Sequence, residues 1–265
     1  MHTDEVLAMI QEVSAELVLP RWRALAEGEV MEKQPGDLVT VADREAEVAI
    51  TARLRAAYKE TLIVGEEATA ADSLLPQALS TAEHAFTVDP VDGTRNFVHG
   101  SPDFGVMVAE LHRGEPVRSW IWQPVHERAY VAERGAGAWC GDRRLTTTPA
   151  AGDLQDWRLV TSAWHLRGIS YAALPELVGS WISCAVDYPQ LIAGAADCLL
   201  YQSSMPWDHA PGALLLAESG GALLTLAGRP YRPGPPAGWL LGVADPAVAP
   251  RLLTAFAGVS SATTG

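Results

Sequence analysis

The chain has 265 residues, of which 48% are hydrophobic and 19% charged, and its formal net charge is −13. This length allows one large domain or two small ones with a sizeable core. The acidic balance argues against a nucleic-acid partner, because basic residues supply most of the affinity in sequence-blind binding. It would also repel a phosphorylated ligand unless a cation lies in the site.

The cysteines and the N-terminus indicate the compartment. The three cysteines follow no CxxC spacing, which argues against a disulfide framework and against a structural zinc site. The N-terminus carries Asp4 and Glu5 and lacks an apolar core, so it is unlike a signal peptide. The apolar stretch 214–226 is interrupted by Glu218 and a glycine pair and is too short to span a bilayer. These features predict a cytoplasmic protein with no membrane partner.

The first hundred residues alternate between helical and strand-like patterns. Apolar residues at helical spacing predict an amphipathic helix from residue 4 to about residue 27. Residues 40–43 have the spacing of a capping box and predict a second helix that begins there. Short apolar runs at 61–64 and 85–88 predict two strands, each of which ends abruptly at acidic residues.

A change of pattern divides the remainder of the chain. Residues 104–122 and 129–139 alternate like strands and predict an antiparallel meander. The polar, proline-containing stretch 146–153 is the best candidate boundary. We therefore expect an N-terminal α+β half (1–145) with most of the site residues and a C-terminal α/β half (146–265).

Three elements are expected in the second half. A strand is predicted at 158–161 and a helical stretch near 172–177. An apolar helix is predicted from about 208 to 219, where the pair Gly220-Gly221 ends it.

The segment Asp89-Pro90-Val91-Asp92-Gly93-Thr94 carries the strongest chemical signal. Its two carboxylates lie three residues apart across a proline-fixed turn, and they repel each other unless a cation lies between them. Ligation by oxygen atoms alone favours magnesium over zinc. If Thr94 opens a helical turn, the amides of Gly93 and Thr94 add an anion pocket. Asp-Pro and Asp-Gly are also common turn dipeptides, but the position after a strand and downstream of Gly65-Glu66-Glu67 favours a site.

Four segments together resemble a known family. DPVDGTRN (89–96), GEE (65–67) and WDHAPG (207–212) are similar to the signature motifs of the inositol monophosphatase family, and KQPGDLVTVAD (33–43) resembles its N-terminal segment. They occur in the family's order and span most of the chain. Members are magnesium-dependent, lithium-sensitive phosphomonoesterases. The resemblance implies a layered α/β/α/β/α sandwich of two halves, of the carbohydrate phosphatase type, that is usually dimeric.

The resemblance also implies a metal cluster between the halves. By motif position, a first magnesium ion would be held by Glu66, Asp89 and the carbonyl of Val91. A second would be held by Asp89, Asp92 and Asp208. Asp208 could instead serve only as a helix N-cap.

Three residues match the family's catalytic group. Thr94 and Asp43 correspond to the pair that orients and deprotonates the attacking water, and Glu66 would share that water through the metal. Asp43 could instead be only the third helical residue of the capping box.

The substrate-contacting positions depart from the family pattern. Members that act on inositol carry a Glu where this chain has Tyr201, and a Gly-Ser/Thr-Ala turn where it has Ile182-Ser183-Cys184-Ala185. The residues that the resemblance assigns to substrate binding are Asp92, Gly93, Thr94, Ser183, Cys184, Tyr201 and Asp208.

These observations predict magnesium-dependent hydrolysis of a small phosphate monoester by metal-activated water. The substrate would be a phosphorylated metabolite: a polyol phosphate, histidinol phosphate, a sugar phosphate such as fructose bisphosphate, or a nucleotide. A catalytically silent metal-binding regulatory protein is the alternative from another class. The intact acidic set argues against silence.

Overall fold

A computed structural model describes residues 1–149, 154–236 and 238–261 of the chain. Within these ranges the protein has two large β-sheets, one β-hairpin and seven α-helices. In the described ranges no helix is both long and apolar enough to cross a membrane.

The N-terminal helices cover one face of the first large sheet. They are α1 (Thr3–Val13) and α2 (Val41–Ala57), and the hairpin of β1 (Val30–Gln34) and β2 (Asp37–Thr40) lies between them. Helix α1 continues as a π-helical turn (Ser14–Val18) and then as a 3-10 turn (Leu19–Arg21), where it ends. The predicted extension to residue 27 is therefore wrong. Pro20 cannot donate a helical hydrogen bond, and Arg23 has a φ of 61°. The capping box before α2 is confirmed, with Thr40 as N-cap.

The seven-stranded sheet contains the predicted meander. Strand β3 pairs in parallel with β4, and every later pair is antiparallel, in the order β3-β4-β5-β6-β7-β8-β9. Its strands and short helices are β3 (Leu62–Gly65), α3 (Glu66–Ala71), β4 (His84–Asp92), α4 (Thr94–Val98), β5 (Gly105–His112), β6 (Glu115–Gln123), β7 (Arg128–Glu133), β8 (Gly137–Cys140) and β9 (Arg143–Leu145).

The five-stranded sheet is mixed, in the order β11-β10-β12-β14-β13. Its elements are β10 (Leu159–Thr161), β11 (Leu177–Gly179), α5 (Cys184–Ile192), β12 (Cys198–Tyr201), α6 (Pro206–Glu218), β13 (Ala222–Thr225), β14 (Leu240–Val243) and α7 (Ala249–Ala255).

The prediction of a helix near 172–177 is wrong. This segment is a turn that leads into β11. Ala172 has a φ of 53°, and Pro175 disfavours the helical conformation of the residue before it.

The layers follow from what each apolar face covers. Helices α1 and α2 share a core with Phe86 and Val88 of the seven-stranded sheet. Helices α5 and α6 pack between the two sheets, and α7 covers the outer face of the five-stranded one. The expected α/β/α/β/α sandwich is confirmed. Residues 150–153 of the predicted boundary lie outside the described residues, and the division at 145/146 stays a prediction.

Candidate active site

The end of β4 places two carboxylates at one point. The pairing with β5 shifts between Asp89 and Asp92, so the chain bulges there. Gly93 follows with a φ of 85°, and α4 begins at Thr94. A side chain at Gly93 would be strained by this φ, and its Cβ would lie 2.9 Å from the Cβ of Ser183. The turn therefore depends on glycine, and it presses the acidic segment against the start of α5.

Helix α6 brings a third carboxylate to the same point. Trp207 and Ala210 pack with Val64 and Leu111 of the seven-stranded sheet, which fixes the first turn of α6 against that sheet. Asp208 lies in this turn, two residues after the first helical residue, so it is not the N-cap. Asp89, Asp92 and Asp208 each contribute one carboxylate oxygen to a group whose atoms all lie within 4.8 Å of one another.

The three carboxylates make ionisation of one another less favourable. Burial, followed by the charges of neighbouring carboxylates, raises the pKa of Asp89 and that of Asp208 well above the ordinary range. Burial also raises the pKa of Asp92, although hydrogen bonds from the Ser183 hydroxyl and from the Ala185 amide (2.7 Å) oppose the shift. A hard divalent cation at this point would relieve both the repulsion and the burial of charge, so the residues present fit magnesium.

Glu66 lies beside this group as the first residue of α3. Burial raises its pKa to about 7, although the charge of Lys33 opposes the shift. The Lys33 ammonium lies 2.6 Å from Glu66 Oε1 and 2.8 Å from Glu67 Oε1. Burial alone would lower the pKa of Lys33, but the two glutamates outweigh it and raise that pKa. In the metal-free protein, Lys33 therefore supplies the positive charge next to Glu66.

Glu47 is a supporting residue that the sequence analysis missed. Its carboxylate accepts hydrogen bonds from the amides of Glu67 (2.7 Å) and Ala68 (2.8 Å) and so caps the start of α3. A Cβ at Gly65 would lie 2.3 Å from the Glu47 carboxyl carbon, which explains why glycine precedes Glu66. In the sequence, Gly65 was the sign of a close contact before Glu66. Glu47 is too far from it along the chain for the contact to be inferred from spacing.

Asp43 and Thr94 are in direct contact. The Thr94 hydroxyl lies 3.0 Å from Asp43 Oδ1 and 3.0 Å from the carbonyl oxygen of Val91. The other oxygen of Asp43 accepts the Thr40 amide (2.9 Å) and hydroxyl, which completes the capping box of α2. Burial raises the pKa of Asp43 to about 6, against opposing hydrogen bonds from Thr40.

A cavity of about 560 Å³ opens beside the carboxylates. Five of the residues assigned to substrate binding line it: Asp92, Ser183, Cys184, Tyr201 and Asp208. Gly93 and Thr94 lie at the start of α4 and are not part of the lining. The cavity is large enough for a metabolite-sized ligand.

Asp187 is a second residue that the sequence analysis missed, and it also lines this cavity. Its side chain is buried and accepts the Trp181 amide at 2.9 Å and the Tyr201 hydroxyl at 3.3 Å. Burial raises its pKa to about 8. A carboxyl group therefore stands next to the tyrosine that replaces the family's glutamate. The signal in the sequence was a single acid within the apolar run 184–192.

Two buried groups that line the cavity, His209 and Cys184, are neutral. Burial lowers the pKa of His209 to about 3, and its Nδ1 lies 2.8 Å from the Tyr188 hydroxyl. Burial, followed by the charges of nearby aspartates, raises the pKa of the Cys184 thiol well above its usual range. Neither group offers the thiolate or imidazolium that nucleophilic thiol chemistry requires. The residues present therefore do not support nucleophilic attack by the Cys184 thiol.

Comparisons with known proteins agree with this architecture. The model of the inositol monophosphatase family matches residues 2–261. The chain is 35% identical over 199 residues to an inositol-1-monophosphatase of Rhizobium meliloti (strain 1021), covering 71% of this chain and 72% of that protein. It is 30% identical over 207 residues to the Nus factor SuhB of Vibrio cholerae serotype O1, covering 74% and 75%.

A solved structure extends the comparison to the fold. The IMPase of Thermotoga maritima matches with a TM-score of 0.77 and 22% identity over 98% of each chain, which demonstrates the shared fold. The carbohydrate phosphatase type of sandwich is thus confirmed. Because the family model covers nearly the whole sequence, the chain belongs to the inositol monophosphatase family.

Proposed function

We propose that the protein is a magnesium-dependent phosphatase that hydrolyses a small phosphate monoester by direct attack of water. The observation that carries the proposal is the convergence of Asp89, Asp92 and Asp208 within 4.8 Å at the mouth of a cavity. Membership of a family whose relatives include inositol-1-monophosphatases supports it.

The chain offers ligands for two magnesium ions. Glu66, Asp89 and the Val91 carbonyl would hold one, and Asp89, Asp92 and Asp208 the other. When bound, magnesium supplies charge neutralisation and activation of water, which phosphate monoester hydrolysis needs most. Lys33 would then share Glu66 with the cation, because its ammonium already contacts Oε1.

Asp43 and Thr94 would remove a proton from the attacking water. A threonine hydroxyl can accept a proton from water while donating its own to a neighbouring carboxylate. Asp43 Oδ1 lies within hydrogen-bond distance of that hydroxyl, and a pKa of about 6 lets it act as a base at neutral pH. No side chain needs to form a covalent bond with phosphorus, since the Cys184 thiol is held protonated.

The substrate's leaving group would occupy the cavity beside Asp92. Ser183, Cys184, Tyr201 and Asp208 line its wall, and the phosphate would lie near the turn at Gly93 and Thr94. Tyr201 stands where inositol-specific members carry a glutamate. We therefore favour the phosphate of another polyol, of histidinol, of a sugar or of a nucleoside over inositol phosphate.

A regulatory role without catalysis is the second candidate. Its support is that some relatives are named Nus factor SuhB rather than phosphatase. A catalytically silent metal-binding protein would have no need of the whole set of six residues, Asp43, Glu66, Asp89, Asp92, Thr94 and Asp208. Phosphate release that requires magnesium separates the two candidates directly.

Assembly and compartment complete the proposal. By resemblance to the family we expect a homodimer, which light scattering at several protein concentrations would test. The three free cysteines support a cytoplasmic location, and fractionation of cells would test it.

The experiment is a panel of phosphorylated metabolites, each assayed for phosphate release with and without magnesium. Turnover of at least one phosphate monoester that disappears with a chelator and returns with magnesium is the expected result. Absence of turnover on every class in the panel, from a folded protein that still binds magnesium, would favour the regulatory role.

A further inference from the structure

A second group of metal-ligating side chains lies at the opposite end of β4. His84 begins the strand, and Asp89 follows five residues later near its other end. At a rise of about 3.4 Å per residue, the two positions lie roughly 17 Å apart. This second group is therefore separate from the carboxylates of the candidate active site.

Strand pairing brings three ligands to one face. His84 and His112 are direct partners across β4 and β5, and Glu110 lies two residues before His112 on the same face. The two imidazole rings stack at 4.7 Å with an interplanar angle of 24°. One nitrogen of each histidine and one oxygen of Glu110 lie within 4.8 Å of one another.

The two oxygens of Glu110 have different partners. Oε2 forms an ion pair with Arg118, which lies opposite Glu110 on β6. Oε1 lies 2.7 Å from Nε2 of His84 and 3.9 Å from Nε2 of His112. Arg118 thus orients a buried carboxylate so that its free oxygen points between two imidazoles. Carboxylates that bind metals commonly have such a hydrogen-bonded partner behind them.

The other ring nitrogen of His84 is also fixed. The Thr61 hydroxyl lies 3.2 Å from His84 Nδ1 and 3.2 Å from the His84 carbonyl oxygen. When this hydroxyl donates to the carbonyl, its oxygen accepts from Nδ1–H. In this tautomer the Nε2 lone pair lies beside Glu110 Oε1, so both atoms can ligate one metal ion. In the other tautomer Nε2–H donates to Oε1 at 2.7 Å, and binding of a metal would replace that hydrogen bond.

We propose that His84, His112 and Glu110 bind one borderline transition-metal ion such as Zn²⁺. Two imidazole nitrogens and one carboxylate oxygen suit zinc, nickel or copper better than magnesium. The His112 side chain is 52% exposed, so its ring can turn toward the ion and water can complete the coordination. Both buried ligands have orienting partners, Thr61 and Arg118. This proposal does not depend on the proposed phosphatase function.

The competing explanation is an ion-pair ladder in which protonated His84 and Arg118 both neutralise Glu110. In that arrangement His112 contributes only ring stacking, and its removal should leave zinc binding unchanged. His112 is the best residue to substitute, because it is exposed and its loss leaves the Arg118–Glu110 pair intact.

The test is calorimetric titration of the whole protein with Zn²⁺ in the presence of excess magnesium. We expect one zinc equivalent in the wild type and in Asp92→Asn, and about tenfold or greater loss of affinity in His112→Ala. His99→Ala is the matched control, because His99 is an exposed histidine that contacts only its own helix carbonyl. Zinc should also raise the Tm of the wild type and of the control, but not that of His112→Ala.

Three results would overturn the proposal. They are a lack of zinc binding, zinc binding that His112→Ala leaves unchanged, and zinc binding that Asp92→Asn abolishes. The last would mean that zinc occupies the carboxylate site. Glu110→Gln, checked first for a cooperative unfolding transition, gives a second variant that should lose zinc while retaining the fold.

Discussion

The carboxylate of Asp43 joins the second helix to the candidate active site, because Oδ1 contacts the Thr94 hydroxyl at 3.0 Å while Oδ2 caps α2 through Thr40. The sequence left two roles open for this residue, a cap and a catalytic base. The structure places the side chain so that each oxygen is available for one of them. Substitutions can therefore separate the two roles.

Asp43→Asn should lower turnover by about 100-fold or more, because an amide cannot accept the proton that Thr94 would pass on. Thr40→Ala should cost about 0.5–2 kcal/mol of stability through loss of the cap, and it should lower turnover far less than Asp43→Asn, because Asp43 keeps its contact with Thr94 but loses a hydrogen bond that lowers its pKa. Steady-state kinetics and thermal unfolding of both variants check this. If Asp43→Asn remains active and is only less stable, Asp43 is a cap alone.

The raised pKa of Asp187 predicts how the stability of the fold depends on pH. This pKa is raised to about 8 in the fold, above its value of 3.8 in the unfolded chain, so the folded state holds a proton that the unfolded state releases. The associated stabilisation is complete below about pH 4 and is lost as the pH rises through about 8.

Asp187→Asn removes this titration while keeping a similar shape. The stability of the metal-free wild type relative to this variant should therefore fall between pH 5 and pH 8. Denaturant unfolding at several pH values measures the difference. A constant difference across that range would contradict the assignment.

Lys33→Gln should destabilise the metal-free protein by about 1–3 kcal/mol, because it leaves Glu66 and Glu67 without their cation. Magnesium should recover most of this loss by supplying positive charge at Glu66. Lys59→Gln is the matched control, since Lys59 is exposed. Equal melting of Lys33→Gln and wild type in a chelator would argue against this role of Lys33.

Inositol monophosphate should not be the best substrate. Tyr201 donates its hydroxyl toward Asp187 and cannot accept two hydrogen bonds from vicinal hydroxyls as a glutamate does. The loss of a charged acceptor of this kind costs about 1.5–3 kcal/mol, or roughly ten- to a hundredfold in selectivity. Ranking of the metabolite panel by kcat/KM tests this. A clear first place for inositol phosphates would mean that Asp187 takes over the missing contact.

Features that depend on neighbouring residues were predictable from the sequence. The capping box at Thr40 and the meander follow from local spacing and were found. Helix α5 was not predicted, because it contains Pro189 in its interior and is buried on nearly all sides. Asp187 was missed with it.

Contacts that depend on strand register or on distant segments were beyond the sequence. Glu47 reaches α3 from α2, twenty residues earlier in the chain. His84 and His112 face each other because of the register in which β4 pairs with β5. A shift of that register by one residue would place the two side chains on opposite faces of the sheet. The motifs could therefore indicate the metal ligands, while the supporting residues became visible only in three dimensions.

Asp92→Asn gives the most direct test of the central claim, that close carboxylates hold magnesium for phosphate hydrolysis. We expect turnover on the best substrate to collapse, since a hard cation loses an anionic ligand. Without metal the variant should be no less stable than wild type, because repulsion within the carboxylate group is relieved. Asp142→Asn, at an exposed position between β8 and β9, is the control and should behave as wild type.

The deciding measurement is thermal unfolding of wild type, Asp92→Asn and Asp142→Asn, each with and without magnesium, beside turnover of the same samples. We expect magnesium to raise the Tm of the wild type and of the control far more than that of Asp92→Asn, which is inactive but folded. A variant that melts early without metal and still turns over at the wild-type rate would exclude Asp92 from the magnesium site.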